Sequence, residues 1–418
     1  MIKTFKILTL GCKVNQYESQ EIRERFIEAG YFESQNNSSD IVVINTCTVT
    51  RRADSESLNL VRRAVRENQK AKIIVTGCLV ELDRQKIKNA YRKAVILRNR
   101  DKQSITSFSN GKKISSKGIS YFKGHSRAFL KIQDGCDNFC SYCKVPLVRG
   151  RSRSRPAKDI IKDAERLVEN GYKEIVLTGI CLGAFGKDLK PGTDLVDLIG
   201  KLESIDGLLR IRLSSIEAAD ISDNLIRKMF HSKKLCRHLH IPIQSGDDDI
   251  LKQMRRKYSR KEYLELIKKL RRHIPEIAIT TDVLVGFPGE TEQNFSNTAD
   301  LVRKIKPLKV HIFPFSPRPG TAANELNGRI NPVIVRKRIL ALQKVANDCS
   351  ENFRKKFLGR TETVLIEGRS KENTGFWEGY ADTYIKVLVK SNKNLSNRLI
   401  SMKLNKIAKN HMIGKIPL

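Results

Sequence analysis

Three cysteines lie within eight residues of the chain, at Cys136, Cys140 and Cys143. They follow an apolar stretch that ends in the turn signal Asp134-Gly135, a pattern that predicts a strand running into a loop. Three thiolates give a metal centre three ligands and leave one position open. Structural zinc sites are usually closed by four ligands, whereas short cysteine runs of this kind hold iron–sulfur clusters. The spacing of this cysteine loop (residues 136–143) therefore favours an iron–sulfur cluster, with a zinc loop or three unrelated thiols as the alternatives.

The N-terminal cysteines, Cys12, Cys47 and Cys78, are scattered in the sequence, but each directly follows a predicted strand. Those strands cover residues 5–10, 41–44 and 72–75. The amphipathic helices between them indicate a parallel sheet with right-handed crossovers. Because parallel strands end at the same edge of a sheet, we expect the three thiols to meet there. The alternative is that small residues stand at strand ends by chance.

The composition indicates a globular protein with a polyanionic partner. The chain has 418 residues, 40% of them hydrophobic, which is enough for two or three packed domains. Its net charge of +34 favours nucleic acid as the partner, although a general abundance of Lys in the chain explains part of the excess positive charge. No apolar run reaches the length of a membrane span, and the N-terminus lacks a signal-peptide pattern. We therefore expect a cytoplasmic protein, not bound to a membrane, with its nine cysteines in metal sites or buried as thiols.

The order of strands and helices predicts an α/β protein with three domains. Residues 1–100 form a parallel α/β domain, and the polar residues 101–127 form a linker. Residues 128–353 indicate a partial (βα)6 barrel with its site at the C-terminal strand ends. Residues 354–418 hold 14 Lys and Arg against 5 Asp and Glu. They predict a small basic β-barrel suited to RNA, with a purely stabilising domain as the alternative. The six strands of the (βα)6 barrel are predicted at residues 128–133, 174–177, 209–213, 238–243, 277–285 and 309–313.

Polar residues after the barrel strands, and a basic segment after the cysteine loop, are further candidates. Ser214, Glu217 and Gln244 follow the third and fourth strands, on the rim where a charged cofactor needs hydrogen bonds. Polar turns after strands are also ordinary loop chemistry. In residues 149–155 arginine alternates with small residues, which suits phosphate contacts, with a solvated loop as the alternative. The predicted RNA-binding residues are Arg149, Arg151, Arg153 and Arg155.

The spacing of the cysteine loop, with the aromatic Tyr142 before its last cysteine, is similar to that of the radical S-adenosylmethionine (SAM) enzymes. In that superfamily three such cysteines hold a 4Fe–4S cluster, and the fourth iron binds the amino and carboxylate groups of SAM. The resemblance implies that Cys136, Cys140 and Cys143 are cluster ligands and that Tyr142 packs near the adenine. From shorter motifs, it also implies that SAM contacts Ser214, Glu217 and Gln244.

The whole layout, with N-terminal cysteines, cysteine loop and basic C-terminal barrel, resembles the methylthiotransferase family. That family has an N-terminal methylthiotransferase domain, a radical SAM barrel and a C-terminal TRAM domain. Residues 10–19 (Leu-Gly-Cys-Lys-Val-Asn-Gln-Tyr-Glu-Ser) look like the branch acting on N6-threonylcarbamoyladenosine in tRNA. The isopentenyladenosine branch usually has Gly-Cys-Gln-Met-Asn there. Residues 177–183 look like the first branch too, except that Cys181 stands where His is expected. We expect Cys181, Cys236 and Cys349 to be structural thiols.

The resemblance implies that the protein replaces the C2 hydrogen of this adenosine, next to the anticodon, with a methylthio group. An aromatic C–H is too weakly acidic for a side-chain base, so a cofactor radical must carry the chemistry. The family implies a second 4Fe–4S cluster that holds sulfide on Cys12, Cys47 and Cys78. It also implies two roles for SAM, and a monomer whose partners are tRNA, a low-potential electron donor and a sulfur source. Two other interpretations stay open: the same chemistry on isopentenyladenosine tRNA or a ribosomal-protein aspartate, and a non-catalytic RNA-binding protein with a structural metal.

Overall fold

The computed structural model describes residues 3–34, 39–110, 118–189 and 192–417, and its first domain is a parallel α/β unit. Its elements are β1 (Thr4–Thr9), α1 (Lys13–Glu28), β2 (Phe32–Glu33), β3 (Ile41–Thr46), α2 (Arg51–Glu67), β4 (Lys72–Gly77), α3 (Cys78–Leu82), α4 (Arg84–Ala90) and β5 (Val95–Ile96). The parallel strands are ordered β2-β1-β3-β4-β5. Alternate residues of the central strand β3 enter two different apolar clusters, so helices cover both faces of the sheet. The strand ends that precede the N-terminal cysteines therefore share one edge.

The predicted linker begins with helical turns. After β5 the chain forms a short 3-10 helix, Asn99–Ser104, and then α5 (Ser107–Asn110). Residues 111–117 of the linker lie outside the described ranges. Ile119 and Phe122 are buried in the core of the second domain, so the end of this segment is fixed to the barrel.

The second domain is the predicted partial (βα)6 barrel. Its elements are β6 (Arg127–Lys131), β7 (Gln133–Asp134), α6 (Val145–Arg149), β8 (Arg153–Ser154), α7 (Ala157–Glu169), β9 (Glu174–Thr178), α8 (Leu195–Glu203), β10 (Arg210–Leu213), α9 (Asp223–His231), β11 (His238–His240), α10 (Asp248–Gln253), α11 (Arg260–His273), β12 (Ala278–Val285), α12 (Glu292–Ile305), β13 (Lys309–Pro314) and α13 (Pro332–Lys355). The strands form two parallel sheets, β10-β9-β6 and β11-β12-β13, and isolated bridges such as Ser215 to His240 join β10 to β11. Strands β6 and β13 are the two outer strands, and α1 of the first domain packs against β6.

The third domain is a closed antiparallel and parallel barrel with the order β14-β15-β16-β18-β17. Its strands are β14 (Thr361–Arg369), β15 (Phe376–Ala381), β16 (Lys386–Lys390), β17 (Leu399–Ile407) and β18 (Met412–Lys415). It docks at the N-terminal ends of the barrel strands. Arg210 donates to the Thr363 carbonyl oxygen at 2.5 Å, and Arg127 Nε donates to Glu367 at 2.6 Å.

The predicted fold class is confirmed, whereas the predicted domain boundaries stay predictions. Helix α13 passes through residue 353, where the sequence analysis ended the second domain. Among the described residues, none of the helices is both long enough and apolar enough to span a membrane.

Candidate active site

The N-terminal cysteines lie at the C-terminal edge of the first sheet. Cys12 is the N-cap of α1, Cys47 directly follows β3, and Cys78 is the first residue of α3. Gly11 (φ 103°) and Gly77 (φ 100°) have backbone angles that other residues rarely adopt. A Cβ at Gly11 would lie 2.9 Å from Cys47 Sγ, and one at Gly77 would lie 2.3 Å from the backbone of β3. The two glycines therefore let the three cysteine segments approach one another.

The three thiols also affect one another electrostatically. Cys12 is exposed, whereas Cys47 and Cys78 are buried. Burial, together with the charges of Cys78 and Cys12, raises the pKa of the Cys47 thiol to about 11. Burial raises the pKa of Cys78 as well, although Arg149 and Lys102 oppose it. A metal centre binds thiols in their deprotonated form, so close thiols beside two cations fit an iron–sulfur cluster.

Hydrogen bonds from several elements hold the cysteine loop. The Cys136 amide donates to the Gly150 carbonyl oxygen at 3.1 Å, and the Ser141 amide donates to the Met254 carbonyl oxygen at 3.1 Å. The Ala323 amide donates to the Ser141 carbonyl oxygen at 2.8 Å. The loop is therefore fixed between the segments that follow α6, α10 and β13.

The thiols of the cysteine loop differ in their surroundings. Hydrogen bonding with Cys181 lowers the pKa of Cys136 to about 7, whereas burial raises the pKa of Cys143 to about 12. Arg256 Nη1 donates to Cys140 Sγ at 3.5 Å. In the described ranges, no three His, Cys, Asp or Glu side chains converge as ligands of one metal ion. An iron–sulfur cluster makes a different demand, because its thiolates bind separate irons.

Cys181 does more than pack. Its thiol lies beside Cys136, and its Sγ is 3.3 Å from Asp220 Oδ2. The expectation of a structural thiol is therefore incomplete at this position, because the side chain reaches the candidate metal centre. Cys236 and Cys349 are buried, as expected of structural thiols.

A cavity of about 450 Å³ opens beside the cysteine loop. The cysteine loop lines it through Cys140, and the loops after β9, β10 and α10 line it through Cys181, Glu217, Asp220, Arg256 and Tyr258. Arg256 forms a two-pronged ion pair with Glu217 and also donates to the Pro242 carbonyl oxygen at 3.2 Å. The Arg256 side chain is only 3% exposed, so this pair is a fixed part of the cavity wall.

The structure brings only one of the four predicted SAM contacts into this cavity. Glu217 lines the cavity, as described above. Ser214 is buried near the end of β10, and no described group hydrogen-bonds its hydroxyl. Gln244 follows β11 with a left-handed backbone (φ 59°) and bonds through its backbone to β12. Tyr142 packs behind the loop against an apolar cluster that includes Met254 and Phe287.

The four arginines of the predicted RNA-binding segment differ in their surroundings. Arg151 and Arg153 are exposed, and the Arg151 guanidinium lies 4.8 Å from the centre of the Phe139 ring. Arg149 is buried, and Arg155 donates to Asp163 Oδ2 at 2.9 Å. The guanidinium groups of Arg149 and Arg155 are therefore hydrogen-bonded inside the protein, and RNA contact by this segment stays a prediction.

Arg149 instead links the two cysteine sets. Its guanidinium donates to Glu18 Oε1 at 2.9 Å and to Asn15 Oδ1 at 2.5 Å, both on α1, which begins after Cys12. It also donates to Asp134 Oδ1 at 2.9 Å, just before the cysteine loop. Burial would raise the pKa of Glu18, but Arg149 and two neighbouring lysines hold it well below its usual range. The two candidate metal centres are therefore positioned by one buried ion-pair network.

A group of histidines inside the barrel was missed by the sequence analysis. His240 Nε2 is 3.2 Å from Asp282 Oδ2, and its ring centre is 5.7 Å from that of His311. His238 and His240 both bond to the Thr280 hydroxyl, at 3.0 and 2.9 Å. Residues two apart on a strand share a face, so the spacing of the histidines on β11 was the available signal.

Lys13 lies in the barrel lumen, the interior space of the second domain around His240, Asp282 and His311. Its ammonium lies 5.9 Å from the centre of the Phe129 ring on β6. Burial lowers the pKa of Lys13, and Arg127 and Arg212 lower it too, against Tyr384. The first residue of α1, directly after Cys12, thus reaches the interior of the second domain.

Comparison with known proteins covers almost the whole chain. Residues 130–302 match the radical SAM superfamily, and residues 4–97 match the uncharacterized protein family UPF0004. The chain is 38% identical to the threonylcarbamoyladenosine tRNA methylthiotransferase MtaB of Thermotoga maritima, over 92% of this chain and 91% of that protein. It is 36% identical to the MtaB of Bacillus subtilis, over 95% and 93%. It is 33% identical to the tRNA-2-methylthio-N(6)-dimethylallyladenosine synthase of Clostridium tetani, over 96% and 94%.

A solved structure shares the fold. The radical SAM methyltransferase TsrM from Kitasatospora setae, solved with cobalamin and a 4Fe–4S cluster, superposes with a TM-score of 0.56. The match covers 78% of this chain and 74% of TsrM at 12% sequence identity. At this identity the likeness concerns the fold alone.

Proposed function

The chain belongs to the methylthiotransferase family of radical SAM enzymes, and we propose that it adds a methylthio group at C2 of N6-threonylcarbamoyladenosine in tRNA, next to the anticodon. One observation carries the proposal: the two three-thiol sets, from different domains, are held together by the buried Arg149 network. A protein that only bound RNA would not need two such sets. The relatives named for this reaction span the same length of chain.

The cofactors are SAM and 4Fe–4S clusters. In our proposal Cys136, Cys140 and Cys143 hold one cluster, and Cys12, Cys47 and Cys78 hold the other. When bound, these groups supply the radical that takes the C2 hydrogen, together with the sulfur and methyl group that replace it. The protein contributes by placing both centres beside one substrate, which is a gain from positioning.

The cavity beside the cysteine loop is the proposed SAM site. Glu217 presents a carboxylate that can accept hydrogen bonds from the SAM ammonium or ribose hydroxyl groups, and Arg256 fixes its orientation. The buried, unpartnered hydroxyl of Ser214 and the half-buried side chain of Gln244 are further proposed contacts on the same rim. Tyr142 lies behind the loop, where it supports the backbone under the proposed adenine position.

The tRNA is the proposed macromolecular partner. The third domain is basic and closed, and Arg151 and Arg153 add exposed cations next to the cysteine loop. Such groups bind the phosphate backbone without reading sequence. The reaction further requires a low-potential electron donor and a sulfur source, and we keep the expectation of a cytoplasmic monomer.

The test is nucleoside mass spectrometry of bulk tRNA from cells that lack the gene. We expect 2-methylthio-N6-threonylcarbamoyladenosine to disappear, to return with the wild-type gene, and to stay absent with Cys12→Ala. An unchanged level of this nucleoside in the deletion strain would refute the proposal. The relative from C. tetani motivates the second candidate, isopentenyladenosine tRNA. If only the 2-methylthio isopentenyl nucleoside follows the gene, that candidate is correct.

A further inference from the structure

Lys13 forms no ion pair with any carboxylate of the described residues. Among the described residues, its ammonium has no hydrogen-bond or ion-pair partner; it lies over the Phe129 ring and interacts electrostatically with Tyr384 and Cys12. The cations around it are all paired: Arg127 with Glu367, Arg212 with Glu174, and Lys131 with Glu18 and Asp134. The carboxylate of the lumen, Asp282, has its Oδ2 3.2 Å from His240 Nε2 and forms no ion pair with Lys13.

An unpaired, half-buried ammonium costs folding free energy, because it loses hydration without gaining an ion pair. None of the described carboxylates forms an ion pair with this ammonium to offset that loss. A ligand that brings its own carboxylate into this space would complete the pair. The observation therefore indicates an anionic ligand group rather than a structural role.

The proposed substrate carries such a group. A threonylcarbamoyl substituent is an amino acid linked through its nitrogen, so its α-carboxylate is free and negatively charged at neutral pH. An isopentenyl substituent is a hydrocarbon and offers an ammonium nothing to bind. Lys13 directly follows Cys12, a proposed ligand of the sulfur-holding cluster, so a base held at that cluster would lie near the Lys13 side chain.

We propose that Lys13 binds the carboxylate of the threonylcarbamoyl group and thereby selects this nucleoside over isopentenyladenosine. The inference rests on the proposed function and adds the residue that determines its specificity. Replacing Lys13 with glutamine keeps a hydrogen-bond donor but removes the charge that attracts a carboxylate.

The experiment compares two substrates with the anaerobically reconstituted, full-length holoenzyme. Both are anticodon stem-loop RNAs, one with threonylcarbamoyladenosine and one with the same nucleoside whose carboxylate is converted to the neutral carboxamide. For the wild type we expect kcat/KM to be about 10- to 100-fold higher on the acid, the range for a hydrogen bond to a charged group. The preference should appear mainly in KM, because the carboxylate lies away from the reacting carbon.

Three variants then assign the preference to Lys13. Lys13→Gln should reduce the acid-to-amide ratio to near one, and Lys13→Arg should keep most of it. Lys158→Gln, which removes an exposed lysine on α7, should leave the ratio unchanged. Iron and sulfide content equal to the wild type shows that a variant still holds its clusters.

Two results would overturn the inference. One is a wild-type enzyme with equal kcat/KM on the acid and the amide, a measurement that needs no variant to fold. The other is a Lys13→Gln enzyme, with full iron content, that keeps the wild-type ratio. Failure of the proposed function looks different, because the wild type would then methylthiolate neither threonylcarbamoyl substrate.

Discussion

The two cysteine sets are built in opposite ways. The cysteine loop takes its three thiols from eight consecutive residues, so a short segment fixed by backbone hydrogen bonds suffices to gather them. The N-terminal cysteines span 67 residues and are gathered by sheet topology, since each follows a parallel strand that ends at the same edge. The first set depends on local structure and the second on a whole domain. The two should therefore differ in how they fail when they are mutated.

The largest expected effect separates the chemistry of the two sets. Cys140→Ala should abolish SAM cleavage and product formation together. Cys12→Ala should abolish methylthio transfer yet still allow 5′-deoxyadenosine release, because the cysteine loop is intact. Both products are measured by mass spectrometry on reconstituted protein, with iron content as a check. Loss of 5′-deoxyadenosine in a folded Cys12→Ala protein would break the assignment of separate roles.

Features that depend on local sequence could be predicted, as the cysteine loop could, whereas features that depend on distant contacts could not. Local patterns were enough for the cysteine loop and for β12, predicted at residues 277–285 and observed at Ala278–Val285. The strands β17 and β18 were missed. In β17 only Met402 and Leu404 are buried, so its apolar signal is weak.

Features that depend on distant partners could not be predicted. Arg149 resembled a phosphate contact because its partner Glu18 is 131 residues away in the chain. The lumen histidines were missed because a polar residue on a strand normally indicates a solvent-facing side. In this barrel the interior itself is polar, as the pair of His240 and Asp282 shows.

A second prediction compares the buried arginine of each region. Arg256→Ala leaves Glu217 without its cation, whereas Arg149→Ala removes one of the cations of Glu18 and Asp134, which keep Lys102 and Lys131. Breaking a buried ion pair by removing one partner costs about 3–5 kcal/mol of unfolding free energy. Urea unfolding should show this loss in Arg256→Ala and a smaller loss in Arg149→Ala, because its carboxylates keep their lysines. Only Arg149→Ala should also expose the junction of the first two domains to limited proteolysis, and equal protection in both variants would contradict the bridging role of Arg149.

A third prediction concerns the lumen. Burial, with help from nearby Lys309, lowers the pKa of His311 to about 4 in the folded protein. The unfolded chain has a histidine pKa near ~6.5, so it binds the proton first as the pH falls. Stability is therefore complete above pH ~6.5 and is lost between ~6.5 and about 4, by about 2 kcal/mol after allowance for partial exposure.

The pH dependence of urea midpoints tests this linkage. His311→Gln should flatten the curve between pH 7 and pH 5, whereas the control His231→Gln, at an exposed position on α9, should leave it unchanged. An unaltered slope in His311→Gln would show that another group of the lumen carries the effect.

The smallest expected effect is on tRNA binding, and it distinguishes the exposed Arg151 and Arg153 from Arg155, which is paired inside the protein. Arg151→Ala and Arg153→Ala should each weaken tRNA binding modestly and lower the salt dependence of log K by about 0.7–1, as expected for one lost phosphate contact. Arg155→Lys is the matched control, because this residue is already paired with Asp163 and should not change the slope. Filter binding at salt concentrations between about 50 and 200 mM gives the slope of log K against log salt for all three variants. A slope that falls in Arg155→Lys but not in Arg151→Ala would mean that tRNA approaches the cysteine loop from a different side.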